Sequence, residues 1–286
     1  MKTFFLTIIA MLMTFSAVAQ TKDSVDVSQF TVVYDYACKT KMGKTGEDII
    51  DTARIAVQVG TKMTRNMEYN WFAYWVRDQK KNQSYLYGMW DHAVNQLPEM
   101  VYVGYPEGSI TNREGLVPKA YETCEQMGTI NWTLTDDTLT ICGYFCKSAV
   151  GEYAGRTWNA YYCEDIPKSV GPWKLHGLPG LILKADNGVH NFSLNSLTME
   201  VLPIRFEQKP NYVKTDRDKY IKFRNNLVCS PRYVKDPVYW LSSGDNVRVN
   251  AFAYGEGDAP NQILYYNGIY APNKDNVREY QPLELK

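Results

Sequence analysis

Histidines, cysteines and adjacent carboxylates are the residues here whose types lend themselves to chemistry, and the chain has only three histidines. His92 follows Asp91, but neighbouring residues on a helix point in different directions, so the two make a poor acid–base dyad. His176 abuts a Gly-Leu-Pro-Gly turn and is the one histidine placed to act as a general acid or base, which is the basis of a hydrolase reading. Glu164-Asp165 and Asp136-Asp137 fall among turn residues, where carboxylates are solvated. No Gly-x-Ser-x-Gly elbow, His-Glu-x-x-His helix, phosphate-binding loop or dinucleotide fingerprint occurs. The sequence therefore names no catalytic group, no metal-ligand set and no cofactor.

The opening MKTFFLTIIAMLMTFSAVAQ reads as a signal peptide over residues 1–19. Lys2 supplies the charged start, a short apolar run follows, and Ala17-Val18-Ala19 gives the small-x-small cleavage pattern. No cysteine lies at the junction, so a lipoprotein is not expected, and no later run approaches the ~18 apolar residues of a spanning helix. The expectation is an exported protein of the periplasm, the cell surface or the medium, not integral to a membrane once the signal is removed. In such a compartment the six cysteines, Cys38, Cys124, Cys142, Cys146, Cys163 and Cys229, are disulfide candidates. If Ala149 and Arg156 close a hairpin, Cys142 stands opposite Cys163, close enough to bridge.

The elements that must position these residues are mostly strands. The 286 residues carry 31 basic and 31 acidic side chains, and this balance leaves no electrostatic footprint for nucleic acid. Aromatics reach 14%, with 22 tyrosines, a composition that favours strands. Residues 30–37, 53–59, 138–145, 157–162, 181–184 and 190–194 read as strands, the last two flanking the hairpin signal Asp186-Asn187-Gly188. Tyr105-Pro106-Glu107-Gly108 reads as a tight turn. Helical spacing appears from Asn70, at Leu86, Met89, Trp90, Ala93, Val94 and Leu97, and over residues 216–227 behind Thr215. Further strands are expected near residues 238–241, 247–254 and 263–270. Nothing resembles a long linker, so residues 20–286 read as one domain. The fold class is mainly β (α+β): a curved antiparallel sheet or half-barrel, with a few helices packed on one side.

One segment carries more. The hexapeptide Gly177-Leu178-Pro179-Gly180-Leu181-Ile182 follows Gly143-Tyr144-x-Cys146-Lys147-x-Ala149, Gly155-Arg156-x-Trp158-x-Ala160-Tyr161, Ile166-Pro167 and Gly171-Pro172. The chain then closes with Tyr280-Gln281-Pro282-Leu283-Glu284-Leu285. In this order the motifs resemble the GLPGLI family of exported Bacteroidetes proteins. The resemblance implies an exported envelope protein and brings no reaction with it. Leu178-Pro179-Gly180-Leu181 suits a type II turn, with Gly180 supplying a positive φ. Arg156 and Trp158 share a strand face by period two, so the arginine can stack on an aromatic ring. Arg156, Trp158, Trp173, His176, Leu178 and Pro179 are the candidate ligand-binding residues. The leading expectation is a non-enzymatic carrier of a small apolar ligand; the second is an interaction partner of outer-membrane or transport machinery, and a hydrolase using His176 is the third.

Overall fold

The computed structural model describes residues 23–42, 45–73, 99–116, 119–206, 212–228, 264–266, 269–271 and 279–285. The signal segment, His92, Cys229, the Leu86 helix and the strands expected at 238–241 and 247–254 lie outside the described residues.

The strands are β1 (Ser24–Val27), β2 (Phe30–Lys41), β3 (Asp48–Val59), β4 (Thr64–Glu68), β5 (Glu99–Val103), β6 (Ser109–Leu116), β7 (Lys119–Gln126) and β8 (Trp132–Ile141). There follow β9 (Tyr144–Tyr153), β10 (Arg156–Cys163), β11 (Leu181–Asp186), β12 (His190–Thr198), β13 (Pro203–Arg205), β14 (Tyr212–Thr215), β15 (Leu264–Tyr266) and β16 (Ile269–Ala271). A one-turn helix, α1 (Tyr69–Phe72), follows β4, and α2 (Arg217–Val228) follows β14. Twelve strands form one sheet in the order β14-β7-β6-β5-β4-β3-β2-β12-β11-β10-β9-β8. Only the β14–β7 pair is parallel, and the terminal strands β14 and β8 do not meet, so the sheet stays open. The mainly-β expectation is borne out.

Alternation explains why these strands form one surface. β2 sends Phe30, Val32, Tyr34 and Tyr36 to one face, opposite Val59, Val57, Ile55 and Ala53 of β3. With Val101, Ile110, Trp158, Ala160 and Phe192 these build the main core, while the other face holds a smaller cluster of Met63, Tyr102, Ile204 and Phe206. On that second face the Arg113 guanidinium lies 3.8 Å over the Phe206 ring, and its Nη2 meets Glu122 at 2.7 Å. Thus β5 and β6 are covered on both faces.

The register of β9 and β10 departs from the expectation. Ala154 and Gly155 take positive φ values of 54° and 80°, forming a two-residue turn that pairs Tyr153 with Arg156. Tyr162 therefore lies opposite Lys147; the same register brings Cys163 level with Cys146, and Cys142 sits in the preceding turn at φ 49°. The Cys142–Cys163 bridge is not formed. Cys38, Cys124, Cys142, Cys146 and Cys163 are all free thiols, so no disulfide occurs among the described residues.

Candidate functional site

Two segments cross the core face and meet a buried cluster of charged side chains. The first joins β10 to β11 and contains the Gly-Leu-Pro-Gly-Leu-Ile hexapeptide; the second comprises residues 279–285. In the first, Val170 bridges to His176 and Trp173 adopts φ 56°, so the loop folds back on itself and drives Trp173, Lys174 and Leu175 into the core. Trp173 packs 5.7 Å from Tyr153 and 5.9 Å from Trp158. Gly180 is not in the left-handed region, which corrects the type II turn. Its hydrogen faces the Cys163 carbonyl: a Cβ there would lie 2.6 Å from the Cys163 carbonyl carbon and 3.0 Å from the Glu164 nitrogen. The glycine is required for close backbone approach.

Lys174 is 0% exposed, and its ammonium meets Glu125 at 2.6 Å and Glu284 at 2.8 Å. Arg217, reaching in from the start of α2, bridges three carboxylates: Glu284 at 2.5 Å, Glu99 at 3.5 Å and Glu114. Arg224, two turns along α2, reaches Glu114 at 3.6 Å and donates to the Glu284 backbone carbonyl at 2.8 Å. Glu99 and Glu114 are directly opposed on β5 and β6, so like charges share one spot on the sheet. Burial, and then the Glu114 charge, pushes the Glu99 carboxyl up to about 7, although Arg217 and Lys174 pull the other way. Against the desolvation of burial, Lys174 and Arg217 hold the Glu284 carboxyl down to about 2. The Trp173 indole donates to Glu99 at 2.8 Å and fixes that carboxyl in place. Four carboxylates thus face three cations, and protonation of Glu99 brings the group to neutrality.

The same machinery clamps residues 279–285. Arg156 donates through Nε to the carbonyls of Pro282 at 3.2 Å and Leu283 at 3.1 Å. Its guanidinium is taken up there, so the expected stacking on Trp158 is absent; Trp158 instead packs with Trp173 and Phe192. His190 accepts from the Tyr36 hydroxyl at Nδ1 (2.8 Å), and its Nε2–H donates to the Pro282 carbonyl (3.3 Å). One acceptor and one donor fit the neutral ring, in keeping with burial pushing His190 down to about 3.

The six expected binding residues do not line one cleft. Trp158, Trp173 and Leu178 are buried in the core, Arg156 holds the 279–285 segment, and Pro179 is exposed. Of the six, His176 alone lines a groove. Backbone carbonyls of Lys174 at 2.7 Å and Gly128 at 2.9 Å face its two ring nitrogens, so the ring is held by the protein on both sides.

That space is a groove of about 420 Å³. One wall is the β3–β4 turn, residues 59–64, together with Val103 and Gly104. A second is the connector 127–130 between β7 and β8, and a third is formed by residues 168–170, His176 and Gly177. Val59, Met63, Val103, Met127, Ile130 and Val170 make the lining largely apolar, and the volume lies within the ~300–1,000 Å³ of small-molecule sites.

The chain matches no family model, and no curated protein matches it. Among solved structures it is similar to two of PNGF-II. The P21 form is 16% identical with a TM-score of 0.44, over 69% of this chain and 33% of that one. The C2 form is 15% identical with a TM-score of 0.43, over 68% of this chain and 32% of that one. The chain spans about a third of the length of these proteins.

The charged cluster escaped the sequence reading because its members come from six separate stretches of chain. A signal was nevertheless present: Lys174 stands inside Gly-Pro-Trp-Lys-Leu-His-Gly-Leu, and Glu284 lies between two leucines. A single charge in a rigid apolar run is buried with a partner more readily than it is solvated.

Proposed function

We propose that this chain is an exported envelope protein of the GLPGLI family that binds a small apolar ligand, without chemistry, in the groove beside His176. The groove itself carries the reading: it is large enough for a small molecule, its walls are apolar, and it lies next to a scaffold fixed by charged clamps. The hexapeptide's part is to shape one wall. Leu178 anchors the loop in the core, and the Trp132 indole donates to the His176 carbonyl at 2.8 Å, tying the loop to β8.

Nile red, a neutral apolar fluorophore, tests this. The mature protein should bind it with micromolar affinity, and Thr129→Trp, which places an indole from an exposed position on the wall into the groove, should abolish binding with an unchanged melting temperature. Equal binding by the variant refutes the reading and turns attention to protein partners.

A further inference from the structure

The walls of the groove are asymmetric in charge. Lys62 on the first wall and Lys168 on the third are the charged residues of its lining, and among the described residues no aspartate or glutamate lines it. Neither lysine makes an ion pair among the described residues. The other polar side chains there are uncharged hydroxyls and one imidazole, and most are engaged. Thr61 donates to Asp26 at 2.7 Å, Ser169 accepts from the Gly177 amide at 3.1 Å, and both His176 nitrogens face carbonyls. Asp26, the carboxylate bonded to this wall from behind, is taken up by that threonine and by the amides of Lys62 at 2.9 Å and Val27 at 2.8 Å. The charge left to face an occupant is therefore cationic, on two separate walls of an apolar groove, with the Thr129 hydroxyl beside it.

Resting on the groove reading above, we propose that its occupant is an amphipathic organic anion: an apolar chain or ring, seated against Val59, Met63, Val103 and Ile130, with one carboxylate head held by Lys62 and Lys168. A neutral lipid leaves both ammonium groups without a partner, and an amphipathic cation meets two like charges and no compensating carboxylate. Each lysine is partly in water, so the pair contributes discrimination of modest size, weakened by salt.

Displacement of Nile red from the mature protein at low salt separates the cases. Dodecanoate, dodecanol and dodecyltrimethylammonium share a chain length and differ in head-group charge. Dodecanoate should displace the dye at roughly tenfold lower concentration than dodecanol, the size expected of two half-exposed ion pairs. The cation should be weaker than both. Lys62→Gln/Lys168→Gln should erase the dodecanoate advantage over dodecanol, both alcohol and acid being read against the same dye in the same variant. Equal displacement by dodecanoate and dodecanol, or an advantage that survives the double substitution, overturns the anion proposal and leaves the apolar groove standing. Failure of Nile red itself to bind overturns the groove.

Discussion

Replacing Lys174 with methionine probes the charged cluster at its most buried member. Methionine keeps the length of the stem and removes only the ammonium, which is 0% exposed and bridges Glu125 and Glu284. Removing one partner of a buried ion pair costs ~3–5 kcal/mol when the other charge is left bare. Here the compensation is partial, because Glu125 is 29% exposed to water and Glu284 keeps the Arg217 contacts at 3.1 and 2.5 Å. The drop of the Glu284 carboxyl from 4.5 to about 2 sets the scale independently: at ~1.4 kcal/mol per pH unit, all its partners together contribute roughly 3 kcal/mol at neutral pH. We expect Lys174→Met to cost about 2–3 kcal/mol, or a fall of ~5–10 °C in melting temperature for a domain of this size. A second signature is its pH dependence. A carboxyl held low stabilises the fold fully above its unfolded value of 4.5, and that contribution is lost as pH falls through about 2. With Lys174 gone the Glu284 carboxyl rises, so acid unfolding should begin at higher pH. Urea unfolding at pH 7 and an acid titration, both followed by tryptophan fluorescence, read the two effects. Lys147→Met is the control: its ammonium meets Glu164 at 2.7 Å but is exposed, so the urea midpoint should stay put. A Lys174→Met midpoint equal to wild type, with an unmoved acid transition, would refute the clamp.

Two further outcomes follow from the same geometry. Glu99, held up to about 7, contributes stability that is present below 4.5 and lost as pH rises through 7; wild-type stability should therefore decline from pH 5 to 8, and Glu99→Gln should flatten that limb in urea titrations. An unchanged slope would sink the assignment. Gly180→Ala places a Cβ against the Cys163 carbonyl and should destabilise by roughly 1–3 kcal/mol or more, read as a lowered urea midpoint; a neutral result would mean that the hexapeptide backbone yields at no cost.

Strands with one core face were legible in the sequence. β2 and β3 were legible because Val32, Tyr34 and Tyr36 of β2 and Ile55, Val57 and Val59 of β3 face the core, while Asp35 and Arg54 pair on the other side at 3.1 Å. The 190–194 strand and the Asp186-Asn187-Gly188 turn were legible for the same reason, since Asp186 and Asn187 accept bonds from the Gly188 and Val189 amides. The hairpin from β9 to β10 was not, because both the Gly151 region and Ala154-Gly155 offer turn chemistry, and only the stacking of Trp132 against Gly151 fixes the choice. The binding residues were misplaced for a related reason. Trp158 and Trp173 do pack together, but Arg156 turns to residues 282 and 283, and an arginine in an aromatic-rich stretch has the same sequence appearance whether it meets a ligand or a crossing segment of its own chain. That distinction depends on residues 279–285, far away in sequence.

The strand order also sets the timing of assembly. β2 to β7 run in sequence across one half of the sheet and β8 to β12 across the other, so nearly every pairing is between successive strands. The exceptions are the parallel β14–β7 pair at one edge and the central seam of β2 with β12, where Tyr36 and His190 meet from 154 residues apart. Successive hairpins close quickly, whereas the seam requires a large loop to close first and is the slow event of folding. Until it forms, β2 presents twelve residues of unsatisfied backbone carrying Val32, Tyr34 and Tyr36, an edge as ready to pair with another molecule as with β12. Refolding yield is therefore expected to rise as the protein is diluted, which a concentration series read by recovered soluble protein would check.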